Sequence, residues 1–169
     1  MSIFSPYNRA FTLVAALLVH FSSLSPVLAG EVILTISGTS PSDGSQINAT
    51  YDLAALQALP KTSFTTATMW TEGPQAFEGV LLKDILDANG IDKGTISATA
   101  INDYAIDIPV SDAVVGGPII AYALNGAPMS VREKGPLWIV YPYDQNMDYQ
   151  SEVVFSRSIW QLNRITIQQ

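Results

Sequence analysis

The sequence predicts one α+β domain, mixed but mostly β-sheet with short helices, and three observations point there. Alternating or β-branched apolar segments recur between turn-forming clusters, which is the signature of strands. Only two short stretches carry helix signals, each with its own closing residue. Asn125-Gly126 is the strongest hairpin signal in the chain, a dipeptide suited to the left-handed conformations of a type I′ turn.

Taken in order, residues 31–37 (EVILTIS) alternate Val32, Leu34 and Ile36 with more polar neighbours, the period of a half-buried strand. Residues 38–45 (GTSPSDGS) are turn chemistry throughout. Asp52 precedes LAALQAL, where its carboxylate can accept from the free amides of a short helix that Pro60 closes. The Thr-rich stretch 61–70 (KTSFTTATMW) favours strand, and Gly73-Pro74 marks a loop. A helix is expected over 81–89, with Leu82, Ile85 and Leu86 on one face and Gly90 as its left-handed closing residue. Segments 95–101, 104–108 and 118–124 read as strands, Ser111 as the cap of a single turn through Val115, and 137–141 and 159–167 as the last strands. No internal repeat, low-complexity segment or linker interrupts this order.

The first 29 residues have a different character. Arg9 is their only charge, an apolar run follows over 11–21 (FTLVAALLVHF), and SSLSP leads to the small-residue site Val27-Leu28-Ala29. That is the layout of a secretory signal peptide, with an apolar run too short to span a bilayer. Cleavage after Ala29 is expected, leaving one domain over 30–169 in the periplasm; a retained membrane helix is the alternative. No later apolar stretch approaches the roughly 20 residues of a spanning helix.

Removing Arg9 leaves 7 basic residues against 15 acidic ones, a formal charge of −8 in place of −7. The charges are scattered and form no basic stripe, which argues against nucleic acid as a partner. The one histidine, His20, lies in the leader, and the chain has no cysteine. The processed chain therefore lacks imidazole and thiol, which excludes a serine triad, a cysteine nucleophile and a conventional zinc site. Carboxylate chemistry, a carboxylate metal site, or binding without chemistry remain.

Several motifs occur in the order of a known family. They are 52–60 (DLAALQALP), 77–86 (FEGVLLKDIL), Asn102-Asp103-Tyr104, 120–129 (IAYALNGAPM), 134–142 (KGPLWIVYP) and Ser158-Ile159-Trp160. Together they resemble the oxidoreductase molybdopterin-binding domain of sulfite oxidase-like proteins. The resemblance implies a mixed α+β domain whose irregular sheet and loops hold a pterin cofactor. Family enzymes bind molybdenum through a cysteine shortly before the segment matching 77–82, where this chain has only 65–70 (TTATMW). They often carry His-Gly-x-Pro-x-Arg where this chain has Lys134 and Trp138 in the histidine and arginine places.

With those departures the chain resembles a small exported branch. Its members bind simple pterins without molybdenum and regulate membrane-bound cyclic-di-GMP cyclase/phosphodiesterase enzymes from the periplasm. The resemblance thus implies a non-enzymatic pterin sensor and argues against a molybdenum cofactor. One alternative is a molybdopterin-dependent oxidoreductase with atypical metal ligation. Another is an interaction module with no small ligand.

A pterin needs an apolar face for stacking and polar groups at its donor and acceptor edges. Trp70, Trp138 and Tyr143 are the stacking candidates. Asp103 and Asp144 are the carboxylate candidates, Arg132 and Arg157 the cationic ones, and Tyr104 joins them from the family motif. The competing reading places the tryptophans in the core, Tyr104 in packing with a bonded hydroxyl, and Asp103 in a turn. No catalytic residue and no metal ligand is assigned.

Overall fold

A computed structural model describes residues 30–168, so the expected leader and its cleavage site lie outside the described residues. Leu34 and Ile36 point into the core from β1 (Leu34–Thr39), and the turn-rich segment after it leads into β2 (Gln46–Tyr51). α1 (Leu53–Gln57) is capped as expected, with the Ala55 amide donating to the Asp52 carboxylate at 2.7 Å. β3 (Lys61–Ala67) pairs antiparallel with β4 (Pro74–Leu81), which runs directly into α2 (Leu82–Ala88). Leu82, Ile85 and Leu86 are buried on one face of that helix, and Gly90 closes it at φ +69°.

The chain continues through β5 (Thr95–Ala100), β6 (Ala105–Pro109) and β7 (Ile119–Leu124). Asn125 and Gly126, at φ 52° and 80°, turn it into the short β8 (Ala127–Pro128), the expected hairpin. β9 (Trp138–Val140), α3 (Glu152–Ser156) and β10 (Leu162–Gln168) complete the order.

Two sheets result. The first runs β2-β1-β10-β5-β6, with β1 and β10 parallel and the other neighbours antiparallel. The second runs β3-β4-β7-β8, with β9 beside β8 on the same edge of β7. Buried side chains such as Ile36, Val80, Ile96, Ile120 and Ile165 form one apolar cluster across both sheets. Full burial of each contributes roughly 1.5–3 kcal/mol. The predicted class, α+β and mostly β, describes this architecture.

Several local expectations are corrected. The strand expected over 61–70 stops at Ala67, because a hydrogen-bonded loop begins at Thr68. The Gly73-Pro74 loop is short, and Pro74 is already the first residue of β4, a strand position that needs no donated N–H. β2, β4 and α3 were not expected. Within β4, Gly79 is required, since a Cβ there would lie 2.1 Å from the Ile120 oxygen where the register shifts against β7. The turn expected from Ser111 is a 3-10 turn over Val110–Asp112 without a side-chain cap. The strand expected over 159–167 starts at Leu162, because residues 159–161 first pair with β9. Ile139 donates to Ile159 at 2.9 Å and Leu162 to Leu137 at 2.9 Å.

Candidate functional site

That pairing places residues 155–161 as a bridge between the two sheets. Gln161 bends the chain at φ 54°, donating its amide to the Lys134 carbonyl and accepting from the Ile101 amide, each at 2.9 Å. A cavity of about 340 Å³ opens along the bridge. Sheet one contributes Ala100, Asn102 and Tyr104, and the β3–β4 loop contributes Trp70. Phe155, Ser156, Ser158, Ile159, Trp160 and Gln161 line the remaining side.

The Trp70 ring is held by its neighbours. Its centroid lies 5.5 Å from that of Trp160, 6.2 Å from Phe155 and 6.1 Å from Trp138, all near edge-on. The loop beneath it is braced by Thr68, whose hydroxyl bonds that of Thr71 at 2.8 Å and accepts the Trp70 amide at 3.2 Å. Trp160 and Tyr104 keep 37% and 55% of their surface exposed, so aromatic faces remain open at the cavity. Lys134 sits 5.6 Å from the Trp160 ring centre and 5.7 Å from that of Trp138.

Among the described residues, no charged side chain lines this cavity. Its polar equipment is amide and hydroxyl. Asn102 accepts the Tyr104 amide through Oδ1 at 3.2 Å, which leaves its NH2 group to donate. Gln161 donates through Nε2 to the Val131 carbonyl at 2.7 Å, which leaves Oε1 to accept. Ser158 shares a buried hydroxyl–hydroxyl bond with Tyr143. Burial pushes the Tyr143 phenol up to about 12 despite that bond. It is therefore a neutral hydrogen-bonding group at physiological pH and not a base.

A family model for the oxidoreductase molybdopterin binding domain matches residues 42–149, well over half of the chain. The chain belongs to that family. No functionally curated protein matches it. Among solved structures, the sulfane dehydrogenase SoxCD from Paracoccus pantotrophus is similar at TM-score 0.59 and 15% identity, over 83% of this chain and 39% of that chain. At that identity the likeness concerns the fold, and this molybdopterin-binding-type domain spans well under half of the solved chain's length.

Molybdenum held through a thiolate does not fit, because the chain has no cysteine. Around the position of the family's thiolate, Thr66 is fully buried, its hydroxyl accepting the Asp144 amide at 3.1 Å, and the next turn presents Trp70. Among the described residues no three His, Cys, Asp or Glu side chains converge as a metal site. A phosphate tail would need cations, and among the described residues none lines the aromatic cavity.

Two of the eight sequence candidates, Trp70 and Tyr104, line this cavity. Trp138 stands behind it, fully buried, with its indole N–H donating to the Ser158 carbonyl at 3.2 Å. Tyr143 is likewise buried, packed 4.9 Å from Phe155 ring to ring. Asp103 lies at the surface and pairs with Arg164 at 2.7 Å. Asp144 ties off β3 by accepting the Ala67 amide at 2.7 Å. Arg157 is held by Asp112 at 2.8 Å. Arg132 borders a different, more open cavity of about 490 Å³, together with Lys134 and Trp138.

Sequence reasoning weighed Trp160 with the other tryptophans as a ligand wall or a core residue, and did not single out Asn102, Phe155, Ser158 or Gln161 as site residues. Asn102, Ser158 and Trp160 lie inside the motifs that carry the family resemblance, which was the available signal. Phe155 and Gln161 carry no local signal, because the bridge between the sheets places them.

Proposed function

We propose that the protein binds a pterin, without molybdenum, in the aromatic cavity at the junction of the two sheets. The observation that supports this reading most directly is the pairing of open indole and phenol faces with a lining free of charge. Such a site suits a flat, neutral heterocycle through stacking and apolar burial. The free NH2 of Asn102 and the free Oε1 of Gln161 complement the adjoining carbonyl and N–H of a pterin's lactam edge. The carboxylate expected for that edge is replaced by side-chain amides.

In this reading the protein is a periplasmic sensor, exported by its leader, that conveys pterin occupancy to a membrane-bound cyclic-di-GMP cyclase/phosphodiesterase. The family resemblance and the missing thiolate support that role. Calorimetric titration of the processed protein with oxidised and reduced pterins tests the binding step. Saturable one-to-one binding is expected, and no heat at high micromolar concentration would refute it. Coexpression with the membrane enzyme encoded nearest to it tests the signalling step, with pterin-dependent change in cyclic-di-GMP as the expected result.

A second reading, a molybdopterin-dependent oxidoreductase with atypical metal ligation, draws on one observation. Arg132 and Lys134 border one cavity, and neither forms an ion pair among the described residues. Stoichiometric molybdenum in protein purified from its native host would favour that reading over the sensor.

A further inference from the structure

The wall of the aromatic cavity is attached to the domain through an ion pair in which only one carboxylate takes part. Arg157, flanked by the cavity-lining Ser156 and Ser158, donates through Nη1 to Asp112 Oδ2 at 2.8 Å. The Tyr141 hydroxyl donates to the same oxygen at 2.8 Å. The Arg157 and Asp112 side chains retain only 22% and 16% exposure, and Tyr141 is fully buried. Bonds between ionised groups in such a setting are stronger and more directional than surface pairs.

Asp112 belongs to neither wall of the cavity. It ends the 3-10 turn Val110–Asp112 that follows β6, the strand entered through Tyr104. The carboxylate therefore joins three parts of the chain: the turn after β6, the segment leaving β9 at Tyr141, and the C-terminal cap of α3 at Arg157. Tyr141 and Tyr143 lie 6.3 Å apart ring to ring, and Tyr143 supports both Phe155 and Ser158. The short helix α3 has 5 residues, too few to hold its position without such tertiary contacts.

We infer that Asp112 is a positioning residue for the aromatic cavity, its carboxylate ordering residues 155–161 through Arg157 and Tyr141. Arg157 thereby supports the site without touching the ligand. The inference concerns the wall itself, and its effect on affinity rests on the pterin reading.

The test uses Asp112→Asn, Arg157→Lys and Tyr141→Phe in the processed protein, well below the unfolding midpoint of each. Hydrogen exchange and tryptophan emission are read first, without ligand. The chain's 3 tryptophans all border or back this wall. D112N should raise exchange selectively over 155–161, leave β5 protected, and shift the emission to longer wavelength. R157K, which keeps the charge, should do so less. D112N should also weaken binding of an oxidised pterin roughly tenfold, the scale of one lost charge-assisted hydrogen bond. If D112N fails to fold, Y141F removes one of the two bonds to the carboxylate and should show the same pattern more weakly. Unchanged exchange over 155–161, or loss of protection spread evenly through both sheets, would overturn the inference. If the wall loosens while the wild-type protein binds no pterin, the ligand reading falls and the positioning role stands.

Discussion

The indole N–H of Trp138 donates to the Ser158 carbonyl at 3.2 Å, and both residues are buried. This bond joins β9 of one sheet to the segment that feeds β10 of the other. The Trp138 ring also packs 5.3 Å from Phe77 and 6.3 Å from Trp160, so one side chain serves both the core and the back of the cavity.

Trp138→Phe should keep an aromatic ring in place while leaving the Ser158 carbonyl without its donor. The cost of such a buried unsatisfied group is about 1–3 kcal/mol. Urea unfolding would show it as a lower midpoint with an unchanged slope. Unaltered stability would mean that the carbonyl finds another partner.

Trp160→Ala and Trp70→Ala should separate binding from stability. Trp160 is 37% exposed and its loss should lower stability by about 1 kcal/mol while weakening pterin binding tenfold or more. Trp70 makes edge contacts with Trp138, Phe155 and Trp160, so its removal should reduce both. Paired calorimetric and unfolding measurements on the two variants check this contrast.

Alkaline pH should unfold the domain through its buried phenols. Burial pushes Tyr143 up to about 12, and burial together with the Asp112 carboxylate pushes Tyr141 well above the usual phenol range. A raised folded-state value means stability fully present below the unfolded value of about 10 and lost as pH rises through the folded one. Stability should therefore decline from about pH 10 upward, with part of the phenolate absorbance appearing only on unfolding. Tyr143→Phe should remove that residue's own share of the decline, which lies between about pH 10 and 12, and leave the share of Tyr141 in place.

Gly79→Ala should be among the most destabilising small substitutions, costing about 3 kcal/mol or more. The added Cβ would meet the Ile120 oxygen at 2.1 Å and Ala121 Cα at 2.7 Å, both in the neighbouring strand. Because those atoms are backbone, relief requires β4 and β7 to part. Thermal unfolding of the variant measures the effect, and a near-neutral result would place the bulge elsewhere.

Features that depend on a few consecutive residues were readable from the sequence. The Asp52 cap, the Leu82/Ile85/Leu86 face, the closing Gly90 and the Asn125-Gly126 turn each follow from local backbone preferences and spacing. β2 carried a legible signal as well, since Ile47, Ala49 and Tyr51 alternate with polar residues, but the preceding turn cluster obscured it. β4 was hidden by its proline and its bulge glycine, both of which local propensity reads as loop.

The candidate site divides along the same line. Composition removed the thiol from the available chemistry, motif order pointed to the family and to Tyr104, and the stacking need of a flat ring pointed to Trp70. Which charges face a ligand was not a local property. Asp103, Asp144 and Arg157 have partners at sequence separations of 61, 77 and 45 residues. Residue order and spacing by themselves determined an α+β domain with aromatic and amide groups available and no thiol to hold a metal. Only the tertiary structure decided that Asp103 and Arg157 pair with other charges, that Asp144 accepts a backbone amide, and that Trp160 and Tyr104 are left partly open. A charge in a partly dry setting is stabilised by the nearest opposite group whatever its place in the chain, and the crossing of residues 155–161 between the sheets sets which group that is.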